Sequence, residues 1–291
     1  MIAITGASGN LGRLVLSHLL RLVPPDQIVA TVRDVAKADD LRALGVQVRQ
    51  ADYDRPVTLA QAFEGADKLL LISAVVPGQR FGQHKAVIDA AKRAGVKLLA
   101  YTSMLRADSS RLSLAAEHER TEEYLRRSGL DFVLLRNGWY LENDTGALEG
   151  AIAHGTIIGS SADGRLASAS RADYAEAAAR VLTQQGHENK TYELAGDVSF
   201  SMAEFAAEVS RQASVPVAYQ NLPGGKYAEV LLGFGLPQMI VDVVVDASQK
   251  ASLGELDSTS RDLSGLIGRP TTPYSEAIRL ALQGRRGADM K

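Results

Sequence analysis

Three glycines at a regular spacing are the first residues in this chain whose types and positions imply chemistry. Gly6, Gly9 and Gly12 punctuate Thr5-Gly6-Ala7-Ser8-Gly9-Asn10-Leu11-Gly12, between a strand-like run from Met1 to Thr5 and a helical pattern that continues to Leu22. In a strand, turn and helix context this spacing reads as a cradle for the pyrophosphate of a dinucleotide. Gly6 would make the tight turn, Gly9 would let phosphates approach the backbone, and Gly12 would let the helix pack against the strand. The helix start adds unpaired N–H groups and the positive end of its dipole. A P-loop fits poorly, because Leu11 and Gly12 stand where a Gly-Lys pair is required. After the second strand pattern comes Thr31-Val32-Arg33-Asp34, with Lys37 a turn later. Arg33 predicts NADPH, held through charge-assisted hydrogen bonds to the ribose 2′-phosphate. Asp34 is the residue an NAD site would use, and a solvated loop arginine is the plainer alternative.

Missing groups narrow the reaction. Many small dinucleotide-dependent reductases protonate an alkoxide with a Tyr whose partner Lys lies four residues later, and none of the nine tyrosines has a Lys at that spacing: Tyr101 is followed by Leu105, Tyr124 by Ser128, Tyr140 by Asp144 and Tyr174 by Ala178. A reductase of this kind suits an acceptor that takes hydride without an obligatory protein acid. A quinone qualifies, since its hydroquinone anion is phenol-like and takes a proton from water. A resonance-stabilised cationic dye also qualifies. The five histidines, at 18, 84, 118, 154 and 187, are too dispersed for a metal pair, so no metal is expected. His118, within Glu117-His118-Glu119, follows the fifth strand pattern, which makes it a weak catalytic candidate beside the simpler reading of a hydrogen-bonded structural histidine. There is no cysteine, so disulfides, thiolate metal sites, iron–sulfur clusters and thiol nucleophiles are excluded.

The elements that must position these groups alternate through the first half. Strand patterns at Met1–Thr5, Ile28–Val32, Val46–Gln50, Lys68–Ile72, Leu98–Thr102 and Phe132–Arg136 are separated by helical patterns at Leu11–Leu22, Val57–Phe63, Gln79–Ala94 and Leu114–Ser128. The strands lack period-two alternation, as expected where helices cover both faces. The fold class is therefore α/β, a doubly wound parallel (Rossmann) sheet with ligands at the strand carboxyl ends. Near residue 145 the alternation stops. Residues 1–145 read as the dinucleotide-binding domain and 146–291 as a smaller, mainly helical lobe over the ligand edge. Helical patterns follow at Tyr174–Gln184, Ser201–Ala213, Tyr227–Leu232, Gln238–Gln249 and Tyr274–Gln283, with a strand-like Thr191–Leu194. Segments such as 171–196 are allowed to return to the sheet, and the tail after Gly284 is expected to fray.

The 291 residues carry 32 Lys plus Arg against 34 Asp plus Glu, a net charge of −2, which argues against nucleic acid or an anionic membrane as a partner. With 46% hydrophobic and 23% charged residues the chain is a globular, folded protein. Met1–Thr5 already reads as a strand, so no secretory leader is expected, and the longest apolar stretch falls short of a membrane span. The cytoplasm is the expected location.

Several of these segments carry a resemblance. The glycine turn, Val32-Arg33-Asp34, Gln50-Ala51-Asp52-Tyr53, Lys68 to Ser73 and Ala100-Tyr101-Thr102-Ser103 resemble the NmrA-like atypical short-chain dehydrogenase/reductases. Leu135-Arg136-Asn137-Gly138-Trp139-Tyr140, Ser170-Arg171-Ala172-Asp173-Tyr174 and Gly186 to Gly196 look like the bacterial type 2 NADPH-dependent quinone oxidoreductases within that family. Triphenylmethane reductases share much of the pattern. The resemblance implies NADPH held by Gly6, Ala7, Ser8, Gly9, Asn10 and Leu11, by Arg33, by Ser73, Ala74 and Val75, and by Asn137, Gly138, Trp139, Tyr140, Leu141 and Glu142. Trp139 and Tyr140 read equally as aromatic core under the second lobe, and Arg171 either reaches the cofactor from that lobe or caps or salt-bridges at a helix start. It implies direct hydride transfer to a small quinone without flavin or metal. A redox-sensing NADP(H)-binding regulator without turnover and a dye or imine reductase are the alternatives, and a homodimer is left open.

Overall fold

The computed structural model of the protein describes residues 1–288, with side chains through 284. Strands β1 (Ile2–Ile4), β2 (Ile28–Val32), β3 (Gln47–Gln50), β4 (Lys68–Leu71), β5 (Leu98–Met104) and β6 (Asp131–Asn137) alternate with helices α1 (Asn10–Leu19), α2 (Asp39–Arg42), α3 (Val57–Ala62), α4 (Arg80–Arg93) and α5 (Ala115–Arg126). The chain then leaves the sheet through α6 (Leu141–Thr145), α7 (Leu148–His154), β7 (Thr156–Gly159) and β8 (Arg165–Leu166), and returns through α8 (Arg171–Thr183) and β9 (Lys190–Leu194). It departs again through β10 (Phe200–Ser201), α9 (Met202–Ala213), β11 (Ala218–Asn221), α10 (Gly224–Gly233) and α11 (Gln238–Ala251), before α12 (Asp262–Ile267) and α13 (Tyr274–Ala288). Helix α13 runs past Gly284, where fraying was expected, and residues 289–291 lie outside the described residues.

The main sheet has seven strands in the order β3-β2-β1-β4-β5-β6-β9, every pair parallel. All residues of β1 and β2 are buried, which accounts for the missing alternation in the sequence. The pleat still sorts neighbours: Leu70 packs under α1 and α8, whereas Leu69 and Leu71 pack under α3 and α4. Helix α8 presents Ala175, Ala177, Ala178 and Ala179 to its neighbours, small enough for close approach to α1, and Ser170 caps its start by accepting from the Asp173 N–H at 3.1 Å.

The remainder forms a lobe with its own core, in which Phe200, Phe205 and Tyr274 stack together beside Leu141, Leu148 and Val209. It contains two small sheets, β8 with β10 and β7 with β11, that the helical reading of this region did not anticipate. Segment 171–196 lies in the main sheet's layers, as α8 and β9. Among the described residues no helix is long and apolar enough to cross a membrane.

Candidate active site

Strand order reverses between β1 and β4, and in a parallel sheet that is where a crevice opens at the carboxyl ends. A cavity of about 600 Å³ occupies it. At one end lies the turn after β1. Gly6 has φ +60°, the Ala7 N–H donates to the Thr31 carbonyl at 3.1 Å, and the Gly9 N–H donates back to Gly6 at 3.0 Å. Gly9 caps α1 without a side-chain hydrogen bond, and the first turn of α1 holds no acidic residue. The N–H groups at the helix start are therefore free to meet an anion. A Cβ on Gly12 would fall on the Gly6 carbonyl oxygen and come within 2.8 Å of Ala7 Cα, so the close packing of α1 on the turn requires glycine there.

Arg33 is exposed at the cavity, and among the described residues its guanidinium has no hydrogen-bond or ion-pair partner. Asp34 is already engaged: its carboxylate accepts from the Ala36 N–H at 3.0 Å and faces Lys37 at 3.6 Å. The turn after β4 is fixed from below. Ser73 N–H donates to Thr102 Oγ1 at 2.9 Å, Ala74 N–H donates to His84 Nε2 at 2.9 Å, and Arg80 Nε donates to the Ala74 carbonyl at 2.8 Å. Burial, with Arg80 beside it, lowers the pKa of His84 to about 3, so its ring stays a neutral acceptor.

Asn137, at the end of β6, donates from Nδ2 to the Tyr140 hydroxyl at 3.3 Å, while its Oδ1 is buried without a partner. An orphaned acceptor in a cofactor crevice fits an amide N–H donor such as a nicotinamide carboxamide. Tyr140 packs edge-on against Tyr174, with the Arg171 guanidinium 4.7 Å from its ring centre. Beyond Asn137 the walls become apolar, with Met104, Leu105, Leu112, Leu114, Trp139 and Leu256. His118 lines this end, 6% exposed, with Nδ1 2.7 Å from the Tyr101 hydroxyl. Burial, together with the positive Arg80 and with His84, pushes its pKa well below the ordinary histidine value.

Two devices hold these walls. Arg136, 4% exposed, donates to both oxygens of buried Glu122 at 2.9 and 2.7 Å, to Glu193 at 2.7 Å and to Asp108 at 2.9 Å, tying β6 to α5, β9 and the loop after β5. From that loop Arg106 donates to the carbonyls of Gly254 and Glu255 at 2.8 and 2.7 Å, pinning the segment that carries Leu256 over the cavity.

Of the residues expected at the cofactor, Gly6, Ser8, Gly9, Asn10, Leu11, Arg33, Ser73, Ala74, Val75, Asn137, Gly138, Trp139, Tyr140 and Arg171 line the cavity. The structure gives three others different work. Ala7 and Leu141 are fully buried in cores, and Glu142 accepts the Arg171 N–H at 2.9 and 3.1 Å, holding the start of α8. The sequence reading missed Thr102, Ser103 and Met104, although their place at the end of β5 was a usable signal. It also missed Leu112, Glu255 and Leu256, which lie on irregular loops with no local signature, and Leu114, which it read only as the start of a helical pattern.

A doubly wound sheet with a glycine turn at its switch point and an unpaired helix start beside it defines a Rossmann-type dinucleotide-binding protein. The chain belongs to the NAD(P)H-binding family, whose model matches residues 6–185. It is 51% identical to quinone oxidoreductase 2 of Escherichia coli (strain K12), covering 96% of this chain and 97% of that protein. A crystal structure of an NADPH-dependent quinone oxidoreductase from E. coli complexed with NADPH superposes with a TM-score of 0.94 at 50% identity, covering 97% and 100% of the two chains. An NmrA-like family oxidoreductase of Aspergillus flavus is 27% identical, covering 97% of this chain and 95% of that protein, which accords with the NmrA-like resemblance.

Proposed function

We propose that this protein is an NADPH-dependent quinone oxidoreductase that passes a hydride directly to a quinone bound between the sheet and the lobe. The observation that carries this reading is the continuity of the cavity, from the glycine turn and the unpartnered Arg33 to the apolar wall of Met104, Leu112, Leu114, Trp139 and Leu256. The full-length likeness to quinone oxidoreductase 2 supports it. NADPH, when bound, supplies the hydride.

The chain's own residues bind and orient. The free N–H groups at the start of α1 take the pyrophosphate, Arg33 takes the 2′-phosphate, and Asn137 Oδ1 accepts from the nicotinamide amide. Trp139 and the leucines hold a flat acceptor against the nicotinamide and exclude water, so catalysis is mainly positioning. In the balanced reaction one hydride leaves the cofactor, the quinone becomes a hydroquinone monoanion, and that anion takes one proton from water. No strong protein acid is needed. The two tyrosines at the cavity are poor acids: burial raises the pKa of both, Tyr53 donates to the Ile72 carbonyl at 2.9 Å, and Tyr140 accepts from Asn137.

The test is a titration with NADPH followed by steady-state assay over a panel of small quinones. Quinone-dependent loss of reduced nicotinamide absorbance is expected. Tight NADPH binding without turnover of any quinone would overturn this function and favour a cofactor-sensing regulator.

A further inference from the structure

Among the groups that hold the cavity walls, one histidine has a ring nitrogen left over. His118 Nδ1 lies 2.7 Å from the hydroxyl of Tyr101, and both side chains are buried. His118 Nδ1 is the short contact of that hydroxyl, Thr121 and Ser73 also stand near it, and its burial disfavours the phenolate. Donation along this 2.7 Å contact to His118 Nδ1 leaves a neutral ring with its own proton on Nε2. Nε2 bonds to no protein atom among the described residues and is not sealed from solvent, and the residue lines the acceptor end of the cavity. Arg80, from α4, also lines the cavity, with Nε on the Ala74 carbonyl at 2.8 Å and Nη1 3.4 Å from Glu117.

We propose that the Nε2–H of His118 donates a hydrogen bond to the quinone oxygen on which negative charge develops during hydride transfer, with Tyr101 as the positioning residue that fixes the tautomer. This rests on the quinone reductase reading and adds to it a polar contact for the hydroquinone anion. A neutral imidazole donor suits this product, because the anion needs stabilisation and not a full proton. The proton taken up later comes from water, so His118 does not change its charge.

Two substitutions separate donation from packing. In H118N the amide oxygen can still accept from Tyr101, but nothing reaches the place of Nε2; in H118Q the amide N–H does reach it. With wild-type enzyme turning over quinone, H118N is expected to lose about 10–100-fold in kcat, below the largest losses for a single donor, with an unchanged NADPH Kd. H118Q should stay within about fivefold. The imidazole nitrogen shifts in an NMR spectrum should report the Nε2–H tautomer in wild type and a mixture in Y101F. H118N at wild-type kcat, H118N and H118Q losing activity equally, or an Nδ1–H tautomer in wild type would each overturn the proposal. Wild-type enzyme that binds NADPH but reduces no quinone would instead overturn the function on which it rests.

Discussion

Alanine at position 12 tests how the cofactor turn is built. The added Cβ would lie 2.8 Å from Ala7 Cα and 3.0 Å from the Gly6 carbonyl carbon. Carbon pairs rest at about 3.5–4.0 Å, so the first turn of α1 and the turn after β1 must part by about 1 Å. All the opposing atoms are backbone, so no side chain can swing aside, and Leu11, Val15, Leu16 and Leu19 lock α1 into the core against α8. Overpacking of this kind costs about 1–3 kcal/mol, which in a chain of this size lowers Tm by roughly 2–10 °C. A displacement of about 1 Å also carries two or three N–H groups beyond hydrogen-bond range of a phosphate. Losing two charge-assisted bonds at about 1.5 kcal/mol each weakens NADPH binding by at least about 100-fold. Gly9→Ala is the control. Its Cβ would meet only the Gly6 carbonyl oxygen, at 3.2 Å, so it should melt near wild type while still weakening NADPH by filling the cradle. Thermal melts and NADPH fluorescence titrations read both quantities. A G12A protein with wild-type Kd and Tm, or a G9A protein less stable than G12A, would refute the reasoning.

The other predictions concern charge. Arg33→Ala should weaken NADPH by about 5–30-fold, roughly 1–2 kcal/mol for an exposed, screened charge-assisted contact, and leave NADH unchanged; an unaltered NADPH to NADH preference would remove Arg33 from the site. Asp144 is half-buried, with Oδ2 sealed and unpartnered, and burial raises its pKa to about 7 from an ordinary 3.8. The folded protein thus holds a proton between pH 4 and 7 that the unfolded chain has released, so stability falls as pH rises through that window and the loss persists above it. Asp144→Asn should match wild-type stability near pH 3.5 and exceed it at pH 8, by about 2–4 kcal/mol at most; a gap that does not widen with pH would contradict the raised pKa.

Much of the sheet was legible because parallel strands buried on both faces give unbroken apolar runs, and the six read in the first half are all present with ends moved by a few residues. The glycine turn was legible because its chemistry sits in one contiguous segment. Legibility failed where the work depends on which way a residue faces. Ala7 and Leu141 lie beside cavity residues but face the cores, and no pattern in the chain says so. The wall formed by Leu112, Leu114 and Leu256 was invisible for another reason, since it is assembled by Arg106 reaching to Gly254 and Glu255 across nearly 150 positions. Tyr101 and His118 are 17 residues apart on consecutive elements, yet only coordinates show that one hydroxyl leaves one ring nitrogen free.

The route of the chain through β9 also bears on how the molecule assembles. Strand β6 finds this neighbour only after the first excursion into the lobe, where Val133 pairs with Lys190, and α12 packs on β9 later still. Closing such long loops costs entropy before any contact rewards it. During synthesis β6 therefore waits as an open edge, with the cofactor turn already made, until the ribosome has released the chain well past residue 194. A nascent chain halted near residue 145 would carry the whole glycine turn and still lack α8, the cover for the apolar face of α1. Such an intermediate is exposed to aggregation, and early NADPH binding to the turn would favour its native form by mass action.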